Sequence, residues 1–283
     1  MEFTYPLILD GATGTELQKR GYDSRMPAEL WTLDHPDVMI SMQKEYIAAG
    51  SQVIYTPTFG TNREQLKRSR LEDRVRQLNL ELAQLSLRAA DGRAMVAGDI
   101  APTGIFLLPG EREEKMDMLT GIYDEQARAL DEAGVDMFVI ETMMTLPDTV
   151  AAVTAVRSFS DKPVFVSCTV GDNGRLIDGT DLLEYRDAAC AMEIDAFGLN
   201  CSSGPEQLLK QIERLAEGAE LPLLAKPNAG LPSYRDGKAF YDCDPLFFAS
   251  CMARMKALGV KIFGGCCGTD SRFIRALAEA VRD

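Results

Sequence analysis

The sequence predicts an α/β protein, a single-domain (β/α)8 TIM barrel spanning residues 1–283. Eight short apolar runs recur along the chain, amphipathic stretches of helical length lie between them, and the length suits one barrel of roughly 250 residues. The runs are nearly continuous in apolar residues instead of alternating with polar ones, as parallel strands covered on both faces require. A doubly wound open sheet is the alternative arrangement of the same elements, but eight repeats is the number that closes a barrel.

In order along the chain, Leu7-Ile8-Leu9 forms the first strand, and a helix over 36–49 begins at Pro36 after a glycine-rich turn. Val53-Ile54-Tyr55 precedes a helix over 63–90, and Met95-Val96-Ala97 precedes a loop over 100–114 and a helix over 115–133. Met137-Phe138-Val139-Ile140, Val164-Phe165-Val166 and Ala196-Phe197-Gly198-Leu199 are followed by amphipathic stretches over 146–159, 179–193 and 205–217. Leu223-Leu224-Ala225 leads into a long loop over 228–243 and a helix over 244–258, and Val260-Lys261-Ile262-Phe263 into a helix over 270–282. No linker or low-complexity tract interrupts the alternation.

Composition narrows the functional classes. A hydrophobic fraction of 46% with 7% aromatics suits an aliphatic core. The net charge of −13 argues against nucleic acid or an anionic membrane as partner, since either would repel the chain at long range. No apolar stretch approaches the roughly 20 residues that span a bilayer, and the first residues lack a basic region followed by an apolar core. The seven cysteines are an odd number in a long chain, which fits a reducing compartment and metal or catalytic use. The expected location is therefore cytoplasmic.

The polar candidates cluster at strand C-termini, the end of the barrel where barrel enzymes place their sites. Asp10, Thr56, Thr58, Asp99, Glu141, Cys201, Asn228, Cys266 and Cys267 all follow apolar runs. Cys201, after the sixth run, and the vicinal pair in Gly264-Gly265-Cys266-Cys267-Gly268, after the eighth, read as a three-thiolate metal site. Three protein ligands leave a fourth zinc position open, the pattern of catalytic sites. Neighbouring residues on a strand point to opposite faces, so two adjacent sulfurs converge only where glycines let the backbone leave extended geometry. Cys168, Cys190 and Cys251 read as core residues, and Cys243 on the loop after the seventh strand is a secondary ligand candidate.

Asp10 opens the turn Asp10-Gly11-Ala12-Thr13-Gly14-Thr15, whose backbone N–H groups either cradle an anion or simply begin a capped helix. Glu141 is either solvated at the mouth or pairs with a ligand cation. Two such carboxylates beside an anion-binding turn fit the two charged ends of an amino acid. Asp99 is a third candidate, with helix capping as its plainer role. The one histidine, His35, lies far from any strand mouth, which argues against a Cys-His or Ser-His couple and excludes a His-rich metal site. Zinc activates sulfur without imidazole, because coordination deprotonates a thiol at neutral pH. With three anionic sulfurs bound it suits alkylation of a fourth sulfur better than hydrolysis.

These motifs, together with Gly198-Leu199-Asn200-Cys201 and Lys226-Pro227-Asn228-Ala229-Gly230-Leu231-Pro232, resemble the homocysteine S-methyltransferases over essentially the whole chain. The Pro-Asn-Ala-Gly-Leu-Pro stretch looks most like the homocysteine-binding module of cobalamin-dependent methionine synthase. The resemblance implies a (β/α)8 barrel with Zn2+ on Cys201, Cys266 and Cys267 and homocysteine thiolate as fourth ligand. It further implies that Asp10 and Glu141 hold the substrate amino group, that N–H groups near Gly11 and Ala12 hold its carboxylate, and that Asn228 occupies or borders the open metal position.

No Asp-x-His-x-x-Gly motif is present, His35 being followed by Pro36-Asp37-Val38, and these 283 residues hold no folate or cobalamin module. The expected activity is therefore methionine formation with a donor from elsewhere, methylcobalamin on a partner corrinoid protein or domain. S-methylmethionine or another cationic donor is the alternative, and a non-catalytic thiol-binding or redox-sensing module is the rival from another class.

Overall fold

A computed structural model describes residues 3–107, 111–235 and 238–282. Eight parallel strands form the barrel: β1 (Leu7–Ile8), β2 (Val53–Tyr55), β3 (Met95–Ile100), β4 (Met137–Met143), β5 (Val164–Cys168), β6 (Ala196–Cys201), β7 (Leu223–Pro227) and β10 (Val260–Phe263). Their order is β1-β10-β7-β6-β5-β4-β3-β2, each parallel to its neighbour. The seam between β1 and β2 is closed by Gln52, whose N–H donates to Ile8 O (2.7 Å) and whose Oε1 accepts from Ile8 N–H (2.9 Å). This is the predicted (β/α)8 barrel.

The side-chain period of two splits the apolar strand residues between two cores. Leu9, Val53, Val139, Phe165, Leu224 and Ile262 fill the barrel interior, and Phe3 packs its ring 5.1 Å from that of Phe165. Phe138, Phe197 and Phe263 face the surrounding helices. Gly198 in β6 permits a close approach to β7, since a Cβ there would lie 1.9 Å from Leu224 O.

The helices are α1 (Gly14–Lys19), α2 (Ala28–Asp34), α3 (Pro36–Ala49), α4 (Arg63–Lys67), α5 (Val75–Ala90), α6 (Arg112–Ala133), α7 (Leu146–Arg157), α8 (Leu182–Cys190), α9 (Pro205–Ala216), α10 (Pro245–Ala257) and α11 (Ser271–Val281). The stretch 63–90 is not one helix. Arg70 turns left-handed (φ +57), the Leu71 N–H bonds Leu66 O and the Arg70 N–H bonds Lys67 O. That is a Schellman closure, which usually recruits glycine; with arginine in its place the break leaves no mark in the sequence. The short α1 and α2, and the antiparallel pair β8 (Ser233–Arg235) and β9 (Lys238–Phe240), also lie outside the predicted elements. Several strands run further than their apolar cores, β4 through Glu141 to Met143 and β6 to Cys201, because polar residues continue the ladder at the mouth.

Candidate metal and amino-acid site

The three cysteines converge. Strands β6, β7 and β10 are consecutive in the sheet, and the sulfurs of Cys201, Cys266 and Cys267 all lie within 4.8 Å of one another. Two local departures from strand geometry bring this about. At the end of β6, Cys201 and Ser202 both adopt left-handed backbone conformations (φ +56 each). Non-glycine residues hold that conformation at a cost of about 1–3 kcal/mol, typically at functional sites. After β10, the chain turns between β1 and β7: the Gly265 N–H donates to Asp10 O (3.0 Å) and the Cys266 N–H to Pro227 O (2.8 Å). Gly264 makes the turn possible, because a Cβ there would stand 2.9 Å from Leu9 Cβ and 3.1 Å from both Asp10 O and Lys226 Cγ.

The donor set fits zinc. With Zn–S bonds of about 2.3 Å a tetrahedral ion separates its sulfurs by about 3.8 Å, within a small closure of the observed spacing. Crowding alone keeps the thiols protonated. For Cys201, hydrogen bonding with Cys266 favours the thiolate, but contact with Cys267 and burial outweigh it and push the thiol up to about 11. Cys267 is favoured as thiolate by Cys201, opposed by Cys266 and burial, and reaches about 12. Cys266 is raised further, first by its contact with Cys201. A divalent cation among them reverses that balance. Among the described residues this trio is the one such grouping of metal-ligating side chains, and Cys243 stays outside it.

Next to the sulfurs lies a buried charge cluster. Asp10 accepts the Tyr55 N–H at Oδ2 (2.8 Å), and its Oδ1 stands 3.5 Å from Lys226 Nζ. Glu141 Oε2 is 3.7 Å from the same ammonium, which also lies 4.4 Å from the centre of the Tyr55 ring. Burial pushes Asp10 up to about 6 against the pull of Lys226 and the Tyr55 N–H. Burial disfavours the charge on Lys226, yet Glu141 and Asp10 more than offset that and hold it well above the ordinary lysine range. Asp99, in β3, is held well above the usual carboxylate range, first by burial and then by Glu141.

Asn200 organises the carboxylate side. Its Oδ1 accepts from the Thr142 N–H and from Ser167 Oγ (2.8 Å each), and its Nδ2 donates to Thr142 Oγ1 (2.7 Å), with Glu141 Oε2 at 3.5 Å. These bonds hold Thr142 left-handed (φ +59) where the β4 ladder shifts register between Ile140 and Met143. Asn200 faces Lys226 across the β6–β7 ladder. Neither residue had a role assigned from sequence, although a lysine ending Leu223-Leu224-Ala225 and an asparagine ending an apolar strand were the available signals.

A cavity of about 370 Å³ opens at the mouth, and Asp10, Gly11, Ala12, Asp99, Glu141, Lys226, Cys201, Cys266 and Cys267 all line it. Glu29 and Thr32 of α2, with Phe59 from the loop after β2, line it too. The Ala12 N–H donates to Thr269 Oγ1 (3.1 Å), and Tyr46 Oη donates to Ala12 O (2.6 Å), so this turn is anchored from two elements. Asn228 is buried beside the cysteine turn, its N–H bonded to Ser203 O (3.0 Å) and its Oδ1 without a partner among the described residues. It is not among the residues lining the cavity. Thr56 and Thr58 bond each other (2.7 Å) beneath Asp99. His35 stacks on Trp31 with centroids 4.2 Å apart, and neither lines the cavity.

Fold and site together define a class: a (β/α)8 barrel carrying three convergent cysteine sulfurs beside an acidic pocket of amino-acid size. The family model for homocysteine S-methyltransferase matches residues 7–281, and the chain belongs to that family of methyltransferases. The methionine synthases of Mycobacterium leprae (strain TN) and Mycobacterium tuberculosis (strain ATCC 25618 / H37Rv) are each 30% identical over 295 aligned positions, which cover 97% of this chain and 24% of each relative. The chain thus spans about a quarter of the length of those curated relatives. Among solved structures, the homocysteine methyltransferase MmuM from Escherichia coli shares the fold. Its oxidised form superimposes with a TM-score of 0.80 at 24% identity, over 96% of this chain and 95% of MmuM, and its metallated form with 0.79.

Proposed function

We propose that residues 1–283 form the homocysteine-binding unit of a zinc-dependent homocysteine S-methyltransferase that makes methionine in the cytoplasm. The observation that carries this reading is the meeting, in one cavity, of three sulfurs within 4.8 Å of one another and the carboxylates of Asp10 and Glu141. Cys201, Cys266 and Cys267 would hold the metal. When bound, zinc lowers the pKa of an incoming thiol so that it reacts as thiolate at neutral pH.

The chain's own residues do the rest. Asp10 and Glu141 accept hydrogen bonds from the substrate α-ammonium, and Lys226, 3.5 Å from the one and 3.7 Å from the other, favours the ionised form of Asp10. The substrate carboxylate sits at the Gly11–Ala12 turn, where the Ala12 N–H is shared with Thr269. Asn228 borders the open side of the cysteine turn. Fixing the amino-acid head leaves the homocysteine sulfur directed at the methyl donor, and the sulfur lone pair displaces the donor's leaving group to form the S–CH3 bond of methionine. The thioether product carries no charge on sulfur and is released. We take the donor to be methylcobalamin presented by a partner corrinoid protein or domain. The much greater length of the methionine synthase relatives is in keeping with a donor carried elsewhere.

The test is metal analysis joined to a donor panel. One equivalent of zinc, lost in Cys266→Ser, and methionine formation from homocysteine with methylcobalamin are the expected results. Turnover with S-methylmethionine, S-adenosylmethionine or betaine but not methylcobalamin would reassign the donor. Metal-free protein with a Cys266–Cys267 disulfide and no thiol binding would overturn the enzyme reading.

A further inference from the structure

The three carboxylates on the cavity wall are not equivalent. Asp10 and Glu141 both face the Lys226 ammonium, and Asp10 also takes the Tyr55 N–H. Asp99 has no such partner. It is 4% exposed, it lines the cavity, and its Oδ1 is fully buried without a hydrogen bond from any described residue. Its main chain is tied down on both sides: the N–H donates to Thr56 Oγ1 (2.9 Å), and the carbonyl accepts from Thr58 Oγ1 (2.8 Å). The backbone is fixed, therefore, while the carboxyl oxygen is left unmatched.

An unpaired carboxylate in a buried wall is costly unless something donates to it. The groups facing Asp99 do not supply that donor. Glu141 in β4 and Asp10 after β1 are themselves acidic, and Lys226 in β7 is within reach of both of them. Burial and Glu141 raise the Asp99 carboxyl, and a cation beside it would oppose that shift. A ligand ammonium, with several N–H donors on one centre, supplies the donor that the described side chains around Asp99 Oδ1 do not.

We propose that Asp99 is a third substrate-binding carboxylate, accepting a hydrogen bond from the α-ammonium of the amino-acid substrate alongside Asp10 and Glu141. This rests on reading the cavity as the homocysteine pocket. It makes Asp99 a determinant of selectivity for thiols that carry an α-amino group over thiols that lack one.

The test compares L-homocysteine with 4-mercaptobutanoate, the same thiol acid without its amino group, by calorimetric titration of the zinc-loaded chain. Wild type should prefer homocysteine. Asp99→Asn, which keeps the size of the side chain, should lose about 10- to 100-fold in homocysteine affinity while binding 4-mercaptobutanoate as before. Asp99→Ser serves as a second variant, with melting curves confirming that the variants are folded. A preference that survives in Asp99→Asn or Asp99→Ser but disappears in Glu141→Gln would overturn the role of Asp99 and leave the pocket reading intact. No preference in wild type would overturn the pocket reading and this proposal together.

Discussion

Lys226 Nζ lies 3.5 Å from Asp10 Oδ1, and both side chains are almost entirely withdrawn from solvent at the mouth of the barrel. The distance is longer than a tight hydrogen bond, so the lysine acts chiefly as a countercharge. It links β7 to the end of β1, two strands that β10 separates in the sheet.

Replacing Lys226 by methionine should destabilise the fold by about 3–5 kcal/mol near pH 8, because it leaves buried carboxylates without their cation. The loss should shrink toward pH 5, where Asp10 takes up a proton. Denaturant melts of wild type and Lys226→Met at the two pH values measure this; equal losses at both would show that the cation does not balance Asp10.

The Asp10 carboxyl is raised from its ordinary 3.8 to about 6. The folded state therefore binds this proton more tightly than the unfolded chain does. The stabilisation is fully present below about pH 3.8 and is lost as pH rises through about 6, a difference of about 3 kcal/mol. Asp10→Asn, which mimics the protonated form, should accordingly gain stability relative to wild type at pH 8 and not at pH 4, while its affinity for homocysteine falls. Melting temperatures across this range, with binding titrations, check both halves.

Asn200→Ala removes the acceptor for the Thr142 N–H and Ser167 Oγ in a buried setting. A cost of about 2–4 kcal/mol is expected from the groups left unpaired. Because Asn200 also stands beside Glu141, KM for homocysteine should rise more than kcat falls. Steady-state kinetics and a melting curve on one preparation separate the two effects.

Gly264→Ala forces a methyl group into the space shared by Leu9, Asp10 and Lys226. The cysteine turn must shift to admit it, at about 1–3 kcal/mol. Zinc affinity, read by competition with a chromophoric chelator, should fall by about tenfold or more while far-ultraviolet circular dichroism stays that of wild type.

Much of the molecule could be read from local pattern. The eight apolar runs marked the barrel strands because parallel strands buried on both faces tolerate little else. The two cysteine motifs were legible because adjacent thiols between glycines form a pattern within a few residues of chain. The break at Arg70 was hidden, since a left-handed residue that is not glycine announces itself only in the backbone. Asn200 and Lys226 lay inside recognised motifs, yet a lone polar residue at a strand end looks alike whether it faces water or a buried partner.

Chain pattern alone, then, established the repeat, the barrel and the trio of sulfurs, because periodicity and residue chemistry are properties of short segments. Which carboxylates meet a cation and which one is left unmatched was settled by closure of the sheet. Asp10, Asp99, Glu141 and Lys226 come from four different strand ends, up to 216 positions apart along the chain. Their charges interact over distances of a few ångströms that exist only once β1 and β10 have met.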